Sequence, residues 1–141
     1  MNNKTIQSLI YNQLYAGAMY NYIASLTTDE KQRTQLLAFK ADSYNNARYL
    51  EKYYEELNTS SFNPIIHQPH QSDTFFESVL WMIEYNGRSS RLFINQAFND
   101  INDDHIQNIT SYINSVISQH NALLTQLYLQ QDFYVKKTSQ L

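Results

Sequence analysis

Apolar residues recur every three or four positions along most of this chain. In the first segment they stand at Ile6, Leu9, Ile10, Ala16, Gly17, Tyr20, Ile23 and Ala24. This spacing gathers them on one face of an α-helix and indicates an amphipathic helix with one buried side. The same period recurs in three later segments, and we predict helices over residues 5–26, 29–57, 74–99 and 104–133.

The apolar stripes of the later helices are interrupted by polar residues near their centres. The second stripe is Leu36, Phe39, Ser43, Asn46, Leu50, Tyr53 and Leu57, and the third is Phe76, Val79, Ile83, Asn86, Ser90, Phe93 and Ala97. The fourth is Ile106, Ile113, Ile117, His120, Leu124 and Leu127. Alternation of three and four is typical of helices packed in a bundle. The pattern therefore predicts a bundle core with a polar middle.

Two capping signals mark helix starts. Thr27 and Glu30 stand three residues apart as a capping box, with Asp29 as an alternative N-cap. Thr74 and Glu77 repeat this spacing before the third helix. A side-chain oxygen at such a position accepts a hydrogen bond from a backbone N–H that the first turn leaves unpaired.

Residues 58–72 contain both prolines and no helical period, so they form one long connection. At about 3.3 Å per residue they reach about 50 Å, whereas the second helix, at 1.5 Å per residue, is about 43 Å long. The connection can therefore run the full length of a bundle. We predict an all-α fold of two helical hairpins joined by a long crossover, as a single domain of residues 1–141.

Composition narrows the classes of function. The chain has 141 residues, 43% of them hydrophobic, which suffices for one core. With 10 basic and 13 acidic residues it lacks the basic surface that nucleic acids require, so we expect no such partner. It has no cysteine and no apolar run of membrane-spanning length, and we expect a cytoplasmic protein without membrane insertion.

The second helix contains A-D-S-Y-N-N-A-R-Y-L over residues 41–50, and in the first helix Tyr20 follows Gln13 by seven residues. This arrangement resembles the rubrerythrin and ferritin-like family over nearly the whole chain. In that family a Glu stands seven residues before a Tyr, and the second helix carries A-x-D-E-x-x-H-A-x-x-L. The residues that match this motif are Asp42, Ala47 and Leu50. In the third helix Phe93 takes the aromatic place and Asn86 the place of a Glu.

The resemblance implies a ferritin-like four-helix bundle and a buried site in which four Glu and two His bind two iron or manganese ions. The corresponding residues of this chain are Gln13, Ser43, Asn46, Asn86, Ile117 and His120. Neutral amides and a hydroxyl are weak ligands, and without carboxylates the charge of buried metal ions is uncompensated. We therefore expect no cofactor, with iron as the alternative, and a hydrogen-bonded polar layer where the family binds metal.

The fourth helix can be aligned in two ways. S-Q-H-N-A at residues 118–122 repeats S-Y-N-N-A of the second helix, which would turn Ser118 and Asn121 inward. The apolar period instead turns Ile117 and His120 inward, and we prefer it because burial decides which face meets the core. His120 should then be buried, neutral well below its ordinary pKa, and hydrogen-bonded to another polar residue at a ligand position.

Other titratable residues have ordinary explanations. Glu84 lies about 200° around its helix from the inward-facing Asn86, which favours a surface pair with Arg88 over a metal role. Two further histidines, His67 and His70, lie in the crossover without a nearby carboxylate. We expect them, and the histidine at position 105 in the first turn of the fourth helix, to be surface residues.

Tyrosines are concentrated in the first two helices, at Tyr11, Tyr15, Tyr20, Tyr22, Tyr44, Tyr49, Tyr53 and Tyr54. Most should be core or half-buried residues. Those outside the apolar stripes would form an apolar strip suited to a dimer interface, and we expect a homodimer.

The sequence contains no positive signal for catalysis, because no Cys, no exposed Ser nucleophile and no glycine-rich phosphate loop is recognisable. Our leading hypothesis is a metal-free bundle with a structural or protein-interaction role. One alternative is an iron-binding oxidoreductase of the rubrerythrin kind, with a remodelled site that uses His120 and Glu84. Another is a small-molecule binder that uses the polar cavity left by the missing metals.

Overall fold

The computed structural model of the protein describes residues 2–99 and 103–139, apart from the side chains of residues 98 and 131–139. Its four helices are α1 (Asn3–Ser25), α2 (Glu30–Asn58), α3 (Phe75–Asn99) and α4 (Asp104–Ser139). Strands are absent from the described residues. The prediction of an all-α four-helix bundle is confirmed.

Helix α1 packs mainly against α2, and α3 packs mainly against α4. The bundle therefore consists of two hairpins, each made of two antiparallel helices. In the first hairpin, Asn3 Nδ2 donates to Asn58 Oδ1 (2.7 Å) at one end, and Lys40 Nζ donates to Asn21 Oδ1 (3.0 Å) towards the other. Residues 59–74 connect α2 to α3, and hydrogen bonds to α1 show that this crossover runs from one end of the bundle to the other. As a result, α2 and α3 are parallel.

Tyrosine hydroxyls of α1 hold the crossover against the bundle. The hydrogen-bonded pairs are Tyr11 OH with the N–H of His67 (3.2 Å), Tyr15 OH with the N–H of His70 (3.0 Å), and Tyr22 OH with the carbonyl of Ser72 (3.5 Å). The ring of His70 also stacks on Trp81 of α3, with 4.7 Å between ring centroids. These tyrosines are half-buried, and Tyr49 alone of the eight in α1 and α2 is exposed, so they do not form the predicted strip.

The start of α2 differs from the predicted capping box. Asp29 is the N-cap, and its carboxylate accepts a hydrogen bond from the backbone N–H of Gln32 (3.0 Å). Thr27 lies two residues before this cap, and its hydroxyl instead accepts from the N–H of Asp29 (3.2 Å), so the alternative N-cap that the sequence offers is confirmed. At α3 the prediction is confirmed, because Thr74 Oγ1 accepts from the N–H of Glu77 (3.1 Å).

Two apolar clusters form the core, one on each side of a polar layer. The first contains Ile6, Leu9, Ile10, Leu50, Tyr53, Tyr54, Phe93, Ile106, Ile113 and Ile117. The second contains Ala16, Met19, Tyr20, Ile23, Ala24, Leu36, Phe39, Val79, Met82 and Leu124. Along every helix the change from one cluster to the other falls at the polar centre of the stripe, as the sequence predicts.

Two details of the predicted stripes are wrong. In α3 Met82 and Ser89 are buried, whereas the predicted Ile83 and Ser90 beside them are only half-buried, as are Phe76 and Ala97 at the ends of the stripe. Both sets keep a spacing of three and four, so the period alone does not choose between them. Leu57 is 55% exposed, because it lies in the last turn of α2 where the chain leaves the bundle. No helix among residues 2–99 and 103–139 has both the length and the apolar character needed to cross a bilayer.

The two glycines provide a matched test of helix packing. A Cβ added at Gly17 would lie 2.5 Å from the Tyr44 ring, whereas a Cβ at Gly87 would meet no atom within 4 Å. We expect Gly17→Ala to lower the free energy of unfolding by about 1–3 kcal/mol through steric overlap. Gly87→Ala should raise it by about 0.5–1 kcal/mol, because alanine restricts the unfolded chain and favours the helix.

Urea denaturation followed by circular dichroism measures both changes. Stabilisation by both substitutions would show that Tyr44 moves aside freely and that the close approach of α1 to α2 is not required.

Candidate functional site: a buried polar layer

Side chains from all four helices meet in a polar layer halfway along the bundle. The six residues that the resemblance aligns with metal ligands are all buried, with exposures of 2% for Gln13, Asn46 and Asn86, 1% for Ser43, and 3% for Ile117 and His120. Ile117 belongs to the first apolar cluster, so five of the six contribute polar atoms. Ser43 does not bond across the layer, because its hydroxyl donates to the Phe39 carbonyl of its own helix (3.0 Å).

One chain of hydrogen bonds links α2, α1 and α3. Asn46 Nδ2 donates to Gln13 Oε1 (3.0 Å), and Gln13 Nε2 donates to Asn12 Oδ1 (2.8 Å). Asn12 Nδ2 then donates to Ser89 Oγ (2.8 Å), and this hydroxyl donates to the carbonyl of Tyr85 (3.0 Å). Every donor in this series of hydrogen bonds therefore points the same way, from the amide of Asn46 to the backbone of α3.

A second chain crosses from α3 to α2. Asn86 Nδ2 donates to the Tyr20 hydroxyl oxygen (2.9 Å), which lies 3.1 Å from His120 Nδ1. His120 Nε2 lies 2.9 Å from Asp42 Oδ2. A carboxylate only accepts, so Nε2 of His120 carries a proton. Burial disfavours the charged imidazole, so we assign the neutral form, in which Nδ1 accepts from the Tyr20 hydroxyl.

The neighbours of His120 explain its orientation and its charge. Its ring stacks on Phe39, with 4.1 Å between centroids, and meets Tyr20 edge to face. Burial lowers the pKa of His120, and the hydrogen bond and negative charge of Asp42 oppose this shift without reversing it. Burial also raises the pKa of Tyr20, which stays protonated as a donor. The Asp42 side chain is 50% exposed and brings the chain of hydrogen bonds to the surface.

The apolar period gave the correct alignment of α4. Ile117 and His120 face the core, Ser118 is exposed, and Asn121 lies half-buried at the edge. The predicted direct bond from His120 to a ligand-position residue is wrong, because Tyr20 OH stands between His120 and Asn86. The sequence reasoning missed both partners of His120. The sequence places Tyr20 in an apolar stripe and Asp42 in the motif of the second helix, and neither pattern indicates a bond to His120.

The other candidate residues lie outside this layer. Glu84 is exposed, and within the described part of the chain no ion pair joins it to Arg88, whose guanidinium lies 6.0 Å above the Tyr85 ring. The predicted surface pair is therefore wrong, since the aromatic ring attracts the cation. The remaining histidines, His67, His70 and His105, are exposed as expected.

The donor set does not fit a dinuclear metal site. Among the described residues no three His, Cys, Asp or Glu side chains are grouped so that they could hold an ion. The amides of Gln13 and Asn46 bond to each other, and both ring nitrogens of His120 have partners. Two metal ions would have to break these bonds without the carboxylates that normally offset their charge.

Two surface grooves lie away from the layer. One of about 350 Å³ lies between α3 and α4 beside Ile94 and Ser111, and one of about 240 Å³ lies between α2 and α4 beside Gln35 and Leu123. Neither is lined by a residue at a ligand position. The small-molecule hypothesis gains no support from these two grooves.

Comparison of the chain with protein-family models, curated proteins and solved structures finds no match. The relation to the rubrerythrin and ferritin-like family therefore stays a hypothesis, supported by the motif residues and the order of the helices.

The pKa shifts predict a stability optimum between neutral and mildly alkaline pH. The folded state holds the pKa of His120 below its ordinary 6.5, so the unfolded chain binds the proton more tightly, and stability is lost as pH falls below 6.5. The pKa values of Tyr20 and Tyr85 are raised above 10.0, so stability is lost as pH rises past 10.0.

The urea concentrations at the unfolding midpoint at pH 7 and pH 5 test the predicted loss of stability below pH 6.5. The protein should lose more stability over this interval than the variant His120→Gln, which cannot bind the proton. Equal losses in the two proteins would contradict a neutral buried His120.

Proposed function

We propose that this chain is a metal-free bundle of the ferritin-like kind, with a structural or protein-interaction role in the cytoplasm, and that it acts as a homodimer rather than as an enzyme. The observation that supports this proposal is the bond between Asn46 Nδ2 and Gln13 Oε1 (3.0 Å). Two positions that hold metal ligands in the family hold amides that satisfy each other across α1 and α2. Such a pair stabilises a core without a cofactor.

The alternative is a remodelled iron site, and one observation favours it. Asp42 Oδ2 lies 2.9 Å from His120 Nε2, so a half-exposed carboxylate and an imidazole are side by side. They provide two ligands for a single ion, fewer than the three protein ligands of most catalytic sites. Glu84, the other residue proposed for this role, is exposed on α3 and has no contact with this pair.

Iron binding separates the two proposals. After purification without chelators and incubation with Fe(II) in air, we expect well under one equivalent of iron per chain by elemental analysis, and no ferroxidase activity. Two bound equivalents per chain would overturn the metal-free proposal.

A positive control restores the family's ligands and keeps His120. It combines the substitutions Gln13→Glu, Ser43→Glu, Asn46→His, Asn86→Glu and Ile117→Glu. Iron binding by this variant would show that the assay works and that the scaffold geometry matches the family. If neither protein binds iron, elemental analysis on a known di-iron protein must validate the assay.

A further inference from the structure

The solvent-facing side of α4 has no charged residue over most of its length. From Ile106 to Gln130 the chain has no Asp, Glu, Lys or Arg. By contrast, α2 has 10 such residues among its 29. An amphipathic surface helix normally places charged residues opposite the core, so α4 departs from the expected composition of a solvated face.

This uncharged face has the spacing of a second packing surface. Six of its exposed residues alternate at intervals of three and four, and they are Tyr112, Ser115, Gln119, Ala122, Gln126 and Leu129. At 100° per residue this stripe lies opposite the buried stripe that contains Ile113 and Ile117. Large side chains stand at its ends, where Tyr112 is 53% exposed and Leu129 is 58% exposed.

We propose that the α4 stripe binds the same stripe of a second copy of this chain, with the two helices antiparallel. A two-fold axis that passes between residues 120 and 121 places Tyr112 opposite Leu129 of the second copy. The same axis places Gln119 opposite Ala122. Apolar ends thus meet each other, and a long amide meets a small residue at the centre, which is the interdigitation that helix packing requires. This inference rests on the proposed interaction role and names its partner and surface.

Charge favours a second copy as the occupant. The chain has a net charge of −3, so two copies repel each other, and this repulsion is weakest when they meet through neutral surfaces. In a two-fold interface the same surface patch of each copy contacts the other copy. When the α4 stripe is that patch, no like charges face each other. Interface centres are depleted of charge and enriched in Tyr. Exposed Tyr49 of α2 contacts Tyr112 edge to face, with 5.9 Å between centroids, and widens the apolar end of the stripe.

The size of the contact sets the expected strength. The stripe from Tyr112 to Leu129 spans about 26 Å at 1.5 Å per residue. A single helix pair of this length buries less than the standard protein interface, so we expect a weak dimer that forms at micromolar concentrations.

Analytical ultracentrifugation across micromolar concentrations tests the proposal with a matched pair of variants. Ala122→Arg places two positive charges near the two-fold axis and should weaken dimerisation at least tenfold. Ala41→Arg adds the same charge at an exposed alanine of α2 and should leave dimerisation unchanged. Circular dichroism verifies that both variants fold.

Disulfide trapping tests orientation separately, because the chain has no cysteine of its own. A mixture of the single variants Tyr112→Cys and Leu129→Cys should form covalent dimers under mild oxidation, because antiparallel helices bring these two positions together, whereas Tyr112→Cys alone, Leu129→Cys alone and Ala41→Cys should not. A protein that is monomeric at all concentrations overturns the inference and the proposed homodimer. A dimer that withstands Ala122→Arg overturns only the α4 surface. Neither result changes the iron measurement, so the metal-free proposal is tested independently.

Discussion

Tyr20→Phe should lower the free energy of unfolding by about 2–4 kcal/mol, although it removes a single oxygen atom. The hydroxyl of Tyr20 accepts from Asn86 and lies 3.1 Å from His120 Nδ1, and all three residues are buried. Its loss leaves one N–H of Asn86 and the Nδ1 acceptor of His120 without a partner, and each such group costs about 1–3 kcal/mol. Asn86 Nδ2 keeps its bond to Asn121 Oδ1 (3.2 Å), so we expect the lower part of the summed range. Thermal or urea denaturation with circular dichroism measures the change.

Tyr112→Phe is the matched control, because it removes the same atom from a side chain that is 53% exposed. We expect a change within about 0.5 kcal/mol. The double variant Tyr20→Phe/His120→Leu should be less damaging than the sum of the two single substitutions, since both remove the same bond. Additive effects would show that Tyr20 and His120 are not coupled.

Asn46→Leu is expected to destabilise the protein by about 1–3 kcal/mol, even though it places a more apolar side chain in the core. Asn46 is 2% exposed and donates to Gln13 Oε1, which then loses its donor inside the bundle. Asn45→Leu at the adjacent exposed position is the control and should change stability by no more than about 0.5 kcal/mol.

Replacing both partners refines this test. The double variant Gln13→Leu/Asn46→Leu removes donor and acceptor together, so it should recover part of the loss, although Asn12 Oδ1 then loses the donor that Gln13 provides. A neutral or stabilising Asn46→Leu would mean that the amide layer is not a required part of the core.

The sequence predicted the fold well because periodicity depends on the local chain. The residues of the α1 stripe are all buried, as are those of the α4 stripe apart from half-buried Leu127, and the apolar period places His120 inside without any knowledge of its neighbours. In α3, two sets of residues with equal spacing could face the core, one with Met82 and one with Ile83. The sequence does not indicate which set is buried. That choice depends on how α3 is rotated against α1 and α4, which is a tertiary property.

The partners within the polar layer were predictable only in part. The sequence predicts a layer in which the polar residues satisfy one another, and the bond between Gln13 and Asn46 fits it, but the period does not indicate which residues pair. The contact between Asp42 and His120 joins residues 78 positions apart, and it depends on the axial offset between α2 and α4. Composition and period contain no information on that offset. Asp42 stands at the edge of its stripe, next to buried Ser43, and such edge carboxylates are the positions to inspect in similar sequences.

The two hairpins joined by a long crossover also predict an order of events in folding. The bonds from Asn46 to Gln13 and from Asn86 to Asn121 lie within one hairpin each, at separations of 33 and 35 residues. Tyr20 and His120 are 100 residues apart, so their contact forms only when the hairpins dock. Local contacts form faster than distant ones because less chain entropy is lost. We expect each hairpin to form first, so that loss of the Tyr20 hydroxyl accelerates unfolding and leaves the rate of hairpin formation unchanged.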